Sequence, residues 1–235
     1  EENNLDDKAF DEFNRWHTCG LCEQRYHGVV QCALGWACWK TYVDRPEGDQ
    51  IRDAAMGVLG QGLSAAHHHE DALSVGKARL SMLRRLRGSV GSQLGAQGLI
   101  AKTYASLGRL EEAASLQQEV YAGRVEFDGE EHEKTLTTAS SYAGSLANLG
   151  RFEEAKSLLR KTTPVARRVL GECDETTLTM RTNYVIALLA DPGATLDDLG
   201  EAVTTSEDTA RIARRVLGGS HPEVVIIERS LRCAR

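Results

Sequence analysis

The sequence SLGRLEEA at residues 106–113 recurs as NLGRFEEA at residues 148–155. The two copies are offset by 42 residues. A second pair of stretches keeps the same offset, with GEEH at residues 129–132 and GECD at residues 171–174. Self-similarity at a fixed period of roughly 20–50 residues is typical of repeat proteins. The sequence therefore predicts a chain built from repeated structural units.

The repeat continues in both directions from this centre. Upstream, AHHHEDA at residues 66–72 aligns with the first copy at an offset of 41 residues. Downstream, ARRVLG at residues 166–171 recurs at residues 213–218, at a longer offset of 47 residues. The five extra residues fall in the turn-type cluster DPGAT at residues 191–195. The sequence therefore predicts four repeat units between about residue 51 and about residue 219.

Each unit has the pattern of two helices. In the third unit, apolar residues recur at the spacing of one helical face: Leu136, Ala139, Tyr142, Ala143 and Leu146. Gly150 stands at the usual stop position of that helix, and Glu153 begins the next one at the positive end of its dipole. Arg167 and Arg168 follow at the negative end. We predict an all-α fold over residues 50–235, with a last helix that begins near Pro222 and covers the end of the stack.

Several local features support this arrangement. Ala72, Ala113 and Ala155 share one repeat position, where the two helices of a unit are expected to cross closely. Thr195 and Asp198 have the spacing of a capping box. The three histidines at residues 67–69 occupy a turn and are expected to be exposed, because neighbouring helical residues cannot converge on one metal ion. Three glycines are expected to be close-packing sites: Gly57, Gly60 and Gly62.

Tyr104, Leu107, Gly108 and the EEA run at residues 111–113 resemble the tetratricopeptide repeat. The spacing near 42 and the linking segment FDGEEH at residues 127–132 are similar to the kinesin light chain type. The resemblance implies a right-handed superhelical solenoid of helix pairs. It also implies that the first helix of each pair lines a concave groove that binds a peptide or protein partner.

The repeat register places four polar residues where such a groove would contact its partner: Gln61, Lys102, Asn148 and Asn183. Clamp-type members of the family use Asn, Lys and Arg at these positions to hold a peptide. Leu99 and Ser141 stand where a side-chain amide would be expected, so a more apolar peptide is favoured over a carboxylate clamp. The alternative for Asn183 is a hydrogen bond within its own helix pair.

The cysteine-rich front end, residues 1–48, suggests a zinc site. Cys19 and Cys22 have the spacing of two thiolates on a tight turn, and His27 and Cys32 complete the pattern C-x2-C-x4-H-x4-C. A retroviral-type knuckle with this spacing has Gly after its second Cys and before its His, where this sequence has Glu23 and Tyr26. The following residues 28–39 have the composition of a buried helix. The alternative is a pair of free thiols in a helical cap.

A second resemblance concerns FNRWHTCGLCEQRY at residues 13–26, which is similar to the closing segment of a RING-CH domain. It implies that Cys19 and Cys22 are the last zinc ligand pair of that domain, with their partner ligands upstream of Glu1. The start without Met agrees with a partial chain. We therefore expect an incomplete zinc site within these 235 residues, and substoichiometric zinc or none.

Charge and motif content exclude several function classes. The net charge of −6 disfavours non-specific electrostatic binding to nucleic acid or to an anionic membrane. No apolar run reaches the roughly 18 residues that a membrane helix needs. The uneven placement of the cysteines and the lack of a signal peptide predict an intracellular, reducing compartment such as the cytoplasm rather than a secreted disulfide scaffold. No nucleophile elbow, phosphate loop or dinucleotide fingerprint occurs.

Two hypotheses of function follow. The first is a non-catalytic scaffold in which four repeats and a capping helix, residues 49–235, bind a peptide or protein partner on the concave face. The second is a substrate-recruiting ubiquitin ligase, in which the repeats select the target and a RING-CH domain engages the conjugating enzyme. Because RING-type ligases carry no catalytic nucleophile, the lack of an active-site motif does not separate the two.

Overall fold

The computed structural model of the protein describes residues 13–22, 24–217 and 222–234. Its helices are α1 Gly28–Tyr42, α2 Gln50–Ala65, α3 His69–Arg85, α4 Val90–Ser106, α5 Leu110–Phe127, α6 Glu133–Asn148, α7 Phe152–Val169, α8 Glu175–Ala190, α9 Leu196–Leu217 and α10 Pro222–Ala234. Within the described ranges no strand forms, and extended pairing is limited to one isolated bridge between Thr18 and Arg25. The all-α prediction is confirmed there, with α2 to α9 occupying the four predicted repeat units. Among the described residues, no helix combines the length and apolarity needed to cross a membrane.

The chain divides into two compact units, Glu1–Arg109 and Leu110–Arg235. In the first unit α1 packs along α2, α2 along α3, and α3 along α4. The buried side chains between them include Val58, Leu59, Leu63 and Ala72. A bidentate ion pair ties α3 to α2, in which the Arg79 guanidinium donates to both carboxylate oxygens of Asp53 at 2.7 and 2.8 Å.

Glycine makes the close approach of α1 and α2 possible. A Cβ atom on Gly62 would come within 2.7 Å of the Gln31 carbonyl oxygen, which is backbone and cannot move aside. A Cβ atom on Gly60 would come within 2.6 Å of the Leu99 side chain, and one on Gly57 within 3.0 Å of the end of the Arg79 side chain. The prediction that these three glycines are packing sites is confirmed.

Helix α1 forms as predicted, but the expectation that it is buried is wrong. Val29 is 77% exposed and Trp36 is 45% exposed, whereas Cys38 is completely buried against α2. The apolar composition of residues 28–39 does not indicate burial because, among the described helices, only α2 packs along α1. The rings of Phe13 and Trp16 contact α1 near its end, at Tyr42.

The second unit stacks its helices in chain order, from α5 against α6 to α9 against α10. The first helices of successive pairs also touch, since α6 contacts α8 and α8 contacts α10. The central core joins α6, α7 and α8 through fully buried side chains that include Leu136, Leu159, Met180 and Leu188. Val224 and Ile227 of α10 pack on Leu178 and cover the end of this stack, as predicted; residues 220 and 221 lie outside the described residues.

The turns between helices follow the repeat. Gly150 adopts φ +74° and its N–H donates to Ala147, while the next N–H donates to the Leu146 carbonyl at 2.9 Å. This is the Schellman arrangement that satisfies the last carbonyls of α6. At the start of α9 the predicted capping box is present, with Thr195 and Asp198 each accepting from the other's backbone N–H.

Candidate functional site

The exposed side of the first helices in the second unit is held together by polar contacts. The Asn183 side-chain amide of α8 donates to the Ser140 carbonyl of α6 at 3.0 Å. Nearer the start of both helices, the Thr137 and Thr176 hydroxyls lie 3.4 Å apart. Asn183 therefore joins the first helices of two successive pairs. The alternative prediction, a hydrogen bond within its own helix pair, is wrong.

This bond uses only one end of the Asn183 amide. Among the described residues, the Asn183 carbonyl oxygen has no hydrogen-bond partner, and the side chain is partly exposed. Gly144 lies beside it on α6 and adds no side chain of its own. The amide is thus oriented by Ser140 and keeps one free acceptor, which is the group that a peptide N–H requires.

The neighbouring positions on α6 are exposed and polar. Ser141 lies one turn from Thr137, and its hydroxyl donates to the Thr137 carbonyl at 3.2 Å. Asn148, a predicted contact residue, is exposed at the last position of α6. Ile186 of α8 is partly exposed and gives this face an apolar element. The first-helix face, defined here as Thr137, Ser141, Asn148, Asn183 and Ile186, combines small hydroxyls, amides and one aliphatic side chain.

The remaining two predicted contact residues belong to the first unit. Gln61 of α2 and Lys102 of α4 are both exposed, on helices that contact each other. Neither side chain forms a hydrogen bond or an ion pair with a described residue. Leu99 of α4 packs on Gly60. Both polar side chains are therefore available to a partner.

The structure brings Cys19 and Cys22 together. Their segment is tied by a 2.9 Å bond from the Cys19 N–H to the Gln24 carbonyl and by the bridge between Thr18 and Arg25. Hydrogen bonds from the Leu21 and Cys22 backbone N–H groups, and then from the Cys22 thiol, lower the pKa of the Cys19 thiol. This geometry favours the thiolate, which is the form that binds metals.

Cys32 and His27 take other positions. Cys32 lies within α1 and packs beside the Leu59 and Leu63 cluster, whereas His27 is an exposed residue at the N-terminus of α1. No set of three or more His, Cys, Asp or Glu side chains in the described ranges could hold a metal ion. Cys19 and Cys22 thus fit half of a zinc site, and the described residues supply no third ligand.

The sequence did not predict the Ser140 carbonyl as the partner of Asn183, because a helical carbonyl ordinarily accepts a hydrogen bond from its own helix. A comparison of the repeat units would have pointed to this contact. The positions equivalent to Asn183 in the two preceding units are Leu99 and Ser141, neither of which has an amide. An amide present in one repeat alone indicates a contact specific to that repeat.

The comparisons with known proteins agree with this architecture. Residues 92–168 match the tetratricopeptide repeat family. A search of curated protein sequences gave no significant match. Among solved structures, a candidate kinesin light chain from Podosopora anserina, crystallised as nearly identical TPR-like repeats, is 20% identical with a TM-score of 0.63. The alignment covers 81% of this chain and 87% of that one.

Two further structures extend the likeness. BtubC (BKLC) from P. vanneervenii is 18% identical with a TM-score of 0.66, over 87% of this chain and 85% of that chain. A Rap protein complexed with Competence and Sporulation Factor is 16% identical with a TM-score of 0.59, over 87% of this chain and 58% of that chain. At these identities the likeness concerns the fold, which is that of kinesin light chain-like tetratricopeptide repeats.

Proposed function

We propose that the protein is a non-catalytic interaction scaffold that binds an extended peptide segment of a protein partner on its first helices. The observation that carries this proposal is the Asn183 amide, which Ser140 orients while its carbonyl oxygen stays without a partner among the described residues. Support also comes from the tetratricopeptide repeat match over residues 92–168, since proteins of this repeat class act as interaction scaffolds.

The chemistry of the first-helix face suits such a ligand. An extended peptide exposes backbone N–H and C=O groups that need partners when water is removed. The Asn183 carbonyl oxygen can accept from a peptide N–H, and so can the hydroxyl oxygens of Thr137 and Ser141, although the Ser141 hydrogen is already donated to the Thr137 carbonyl. Ile186 offers an apolar contact for a peptide side chain. In the first unit, Gln61 and Lys102 add exposed groups of the same kind.

The test uses two matched variants. Ser141→Arg places a large charged side chain on the first-helix face, and Ser157→Arg makes the same change at an exposed position of the second helix α7. Peptides selected from a displayed library against the wild-type protein are then titrated against both variants. We expect Ser141→Arg to weaken binding at least about tenfold, which is roughly 1.4 kcal/mol, and Ser157→Arg to leave it unchanged. Equal losses in both variants, or no selectable peptide, would contradict the proposal.

The Cys19 and Cys22 pair favours a second candidate function. We propose that the two thiolates bind zinc with ligands outside the described residues, as in a RING-CH-type ubiquitin ligase whose repeats recruit the substrate. What supports this is the turn that holds the two cysteines, closed by the 2.9 Å bond from the Cys19 N–H to the Gln24 carbonyl, together with the lowered pKa of the Cys19 thiol. Zinc would hold the turn closed, as structural zinc sites generally do.

Cobalt titration tests this metal site. Co²⁺ bound by Cys19 and Cys22 should produce a thiolate charge-transfer absorption, which Cys19→Ser with Cys22→Ser should abolish. Cys173→Ser is the matched control, because Cys173 is also a free and exposed cysteine. An absorption that survives the double change, or that Cys173→Ser removes, would assign the metal to other residues.

A further inference from the structure

A cavity of about 290 Å³ opens between α7, α8 and α9 of the second unit. The side chains that matter in it are Arg160, Thr163 and Arg167 from α7, Arg181 and Tyr184 from α8, and Glu201 from α9. Three arginines therefore face one glutamate, in a protein whose net charge is −6. The cavity is a local positive site on an acidic protein, and such a site attracts anions at short range.

The single carboxylate of the cavity is already engaged. Arg160 donates to the Tyr184 hydroxyl at 2.8 Å, and that hydroxyl donates to Glu201 at 3.0 Å. A second nitrogen of Arg160 lies 4.0 Å from the other oxygen of Glu201. This network pairs Glu201 with Arg160, and Arg167 is paired with Glu172 at the cavity edge. Arg181 is therefore the cavity arginine whose charge no described residue pairs.

Arg181 is the charge that lacks a partner. Its side chain is partly buried, and it forms no hydrogen bond or ion pair with any described residue. Burial is the main reason that the pKa of its guanidinium is lowered; Asp208 and Glu172 oppose this through their charges, and Arg167 and Arg211 add to it. A partly desolvated cation without hydrogen-bonded acceptors is costly, so an anion placed against it would be stabilising.

Thr163 provides a second unsatisfied donor in the same cavity. Its hydroxyl oxygen is buried and has no hydrogen-bond partner in the part of the chain that the structure describes. Thr162, its neighbour, instead bonds back to the Leu158 carbonyl at 2.8 Å, as threonines in helices often do. A buried hydroxyl without a partner costs free energy, which an acceptor within the cavity would recover.

We propose that this cavity binds an oxyanion, a carboxylate or a phosphate group, presented by the side chain of an acidic peptide. Arg181 and Thr163 donate to the oxyanion, and Arg167 contributes charge from the cavity edge. The volume lies at the lower limit of ordinary small-molecule sites, which suits a single side chain. The proposal is independent of the first-helix face, because Arg181 and Asn183 are two residues apart on α8 and point about 200° apart.

Nuclear magnetic resonance can observe the site directly. The side-chain N–H signals of arginine are followed while sodium phosphate, acetyl-Gly-Glu-Gly-amide or its glutamine analogue is added at constant ionic strength. We expect the Arg181 signal to shift and saturate with phosphate, with the glutamate peptide, or with both, and not with the glutamine analogue. The anion that saturates identifies the source of the oxyanion. Shifts of Arg181 that stay linear, or that equal those of Arg168, would overturn the proposal.

Variants separate the cavity from general surface charge. Arg181→Met and Thr163→Val remove the two unpartnered donors, and we expect the first to weaken binding of the saturating anion about tenfold or more. Arg167→Gln and Arg168→Gln form a matched pair of exposed, ion-paired arginines, of which only Arg167 lines the cavity. Arg167→Gln should weaken binding and Arg168→Gln should not. Equal effects in this pair, which keeps the core intact, would refute the site even if Arg181→Met failed to fold.

Discussion

Replacing His67 by Gly should stabilise the protein, because this histidine holds a backbone conformation that suits glycine. His67 follows the end of α2 with φ +63°, and its N–H donates to the Ser64 carbonyl at 3.1 Å. The next N–H, of His68, donates to Leu63 at 2.9 Å. The equivalent turns of the next two repeats place Gly108 and Gly150 at φ +75° and +74°. The first repeat therefore has the same Schellman turn without its usual glycine.

The magnitude follows from two opposing terms. A residue other than glycine in the left-handed region costs about 1–2 kcal/mol. Glycine loses roughly 0.5–1 kcal/mol through the greater freedom of its unfolded chain. The His67 side chain is exposed, and its ring touches the described rings only at His69, with a centroid separation of 5.6 Å. We therefore expect His67→Gly to raise the free energy of unfolding by about 0.5–1 kcal/mol.

Urea unfolding followed by circular dichroism measures this change. The midpoint should rise while the slope stays the same, because the surface exposed on unfolding is unaltered. His68→Gly is the matched control, since His68 is equally exposed in the same turn but has φ −84°. Because glycine relieves no left-handed backbone strain at His68, this variant should show no comparable rise in the midpoint. A lower midpoint for His67→Gly, or an equal rise in both variants, would refute the reasoning.

Three further outcomes are expected. Ala113→Leu should overpack a fully buried position and lower the free energy of unfolding by about 1–3 kcal/mol, which a lower urea midpoint would show. A hydrogen bond from Lys156 lowers the pKa of Asp191 in the folded protein. The ionised Asp191 carboxylate therefore stabilises the fold fully above the unfolded pKa of about 4, and this stabilisation is lost as pH falls through the lower folded pKa. Asp191→Asn should thus be less stable than wild type at pH 7, and the two melting temperatures should converge in acid. Lys102→Ala in the first unit and Asn183→Ala in the second should each weaken the peptides that its own unit binds by roughly 0.5–1.5 kcal/mol in a calorimetric titration, and unchanged affinity would remove the residue concerned from the peptide contacts.

Helix boundaries and turns were predictable because they depend on neighbours in the sequence. Gly150 stops α6 and adopts the left-handed conformation that its repeat position indicated. The Thr195 and Asp198 capping box is likewise formed by residues three apart. Burial of Ala72 and Ala155 followed from the repeat period, which shows that the same position recurs at each helix crossing. Each of these inferences needs only local geometry and periodicity.

The placement of α1 and its cysteines could not be predicted in the same way. Composition suggested that residues 28–39 are buried, yet Val29 and Trp36 are largely exposed, because no described helix packs on that side. Spacing grouped Cys32 with Cys19 and Cys22, whereas helix formation carries Cys32 to the core beside Leu59. The spacing of the cysteines in the sequence does not indicate whether a helix will carry one of them away from the others.

The repeat period, the helix pairs, the turns and the small residues at the helix crossings can all be inferred from the amino-acid sequence, since they are properties of neighbouring residues repeated along the chain. The contact of Asn183 with the Ser140 carbonyl, and the position of Arg181 in a cavity with Thr163, depend on how the helices pack in three dimensions. These groups are 18 to 43 residues apart, and their contact depends on the way in which three or more helices pack. Whether a polar group keeps a free donor or acceptor is decided by that packing, because every neighbour it could bond must first be brought within about 3 Å.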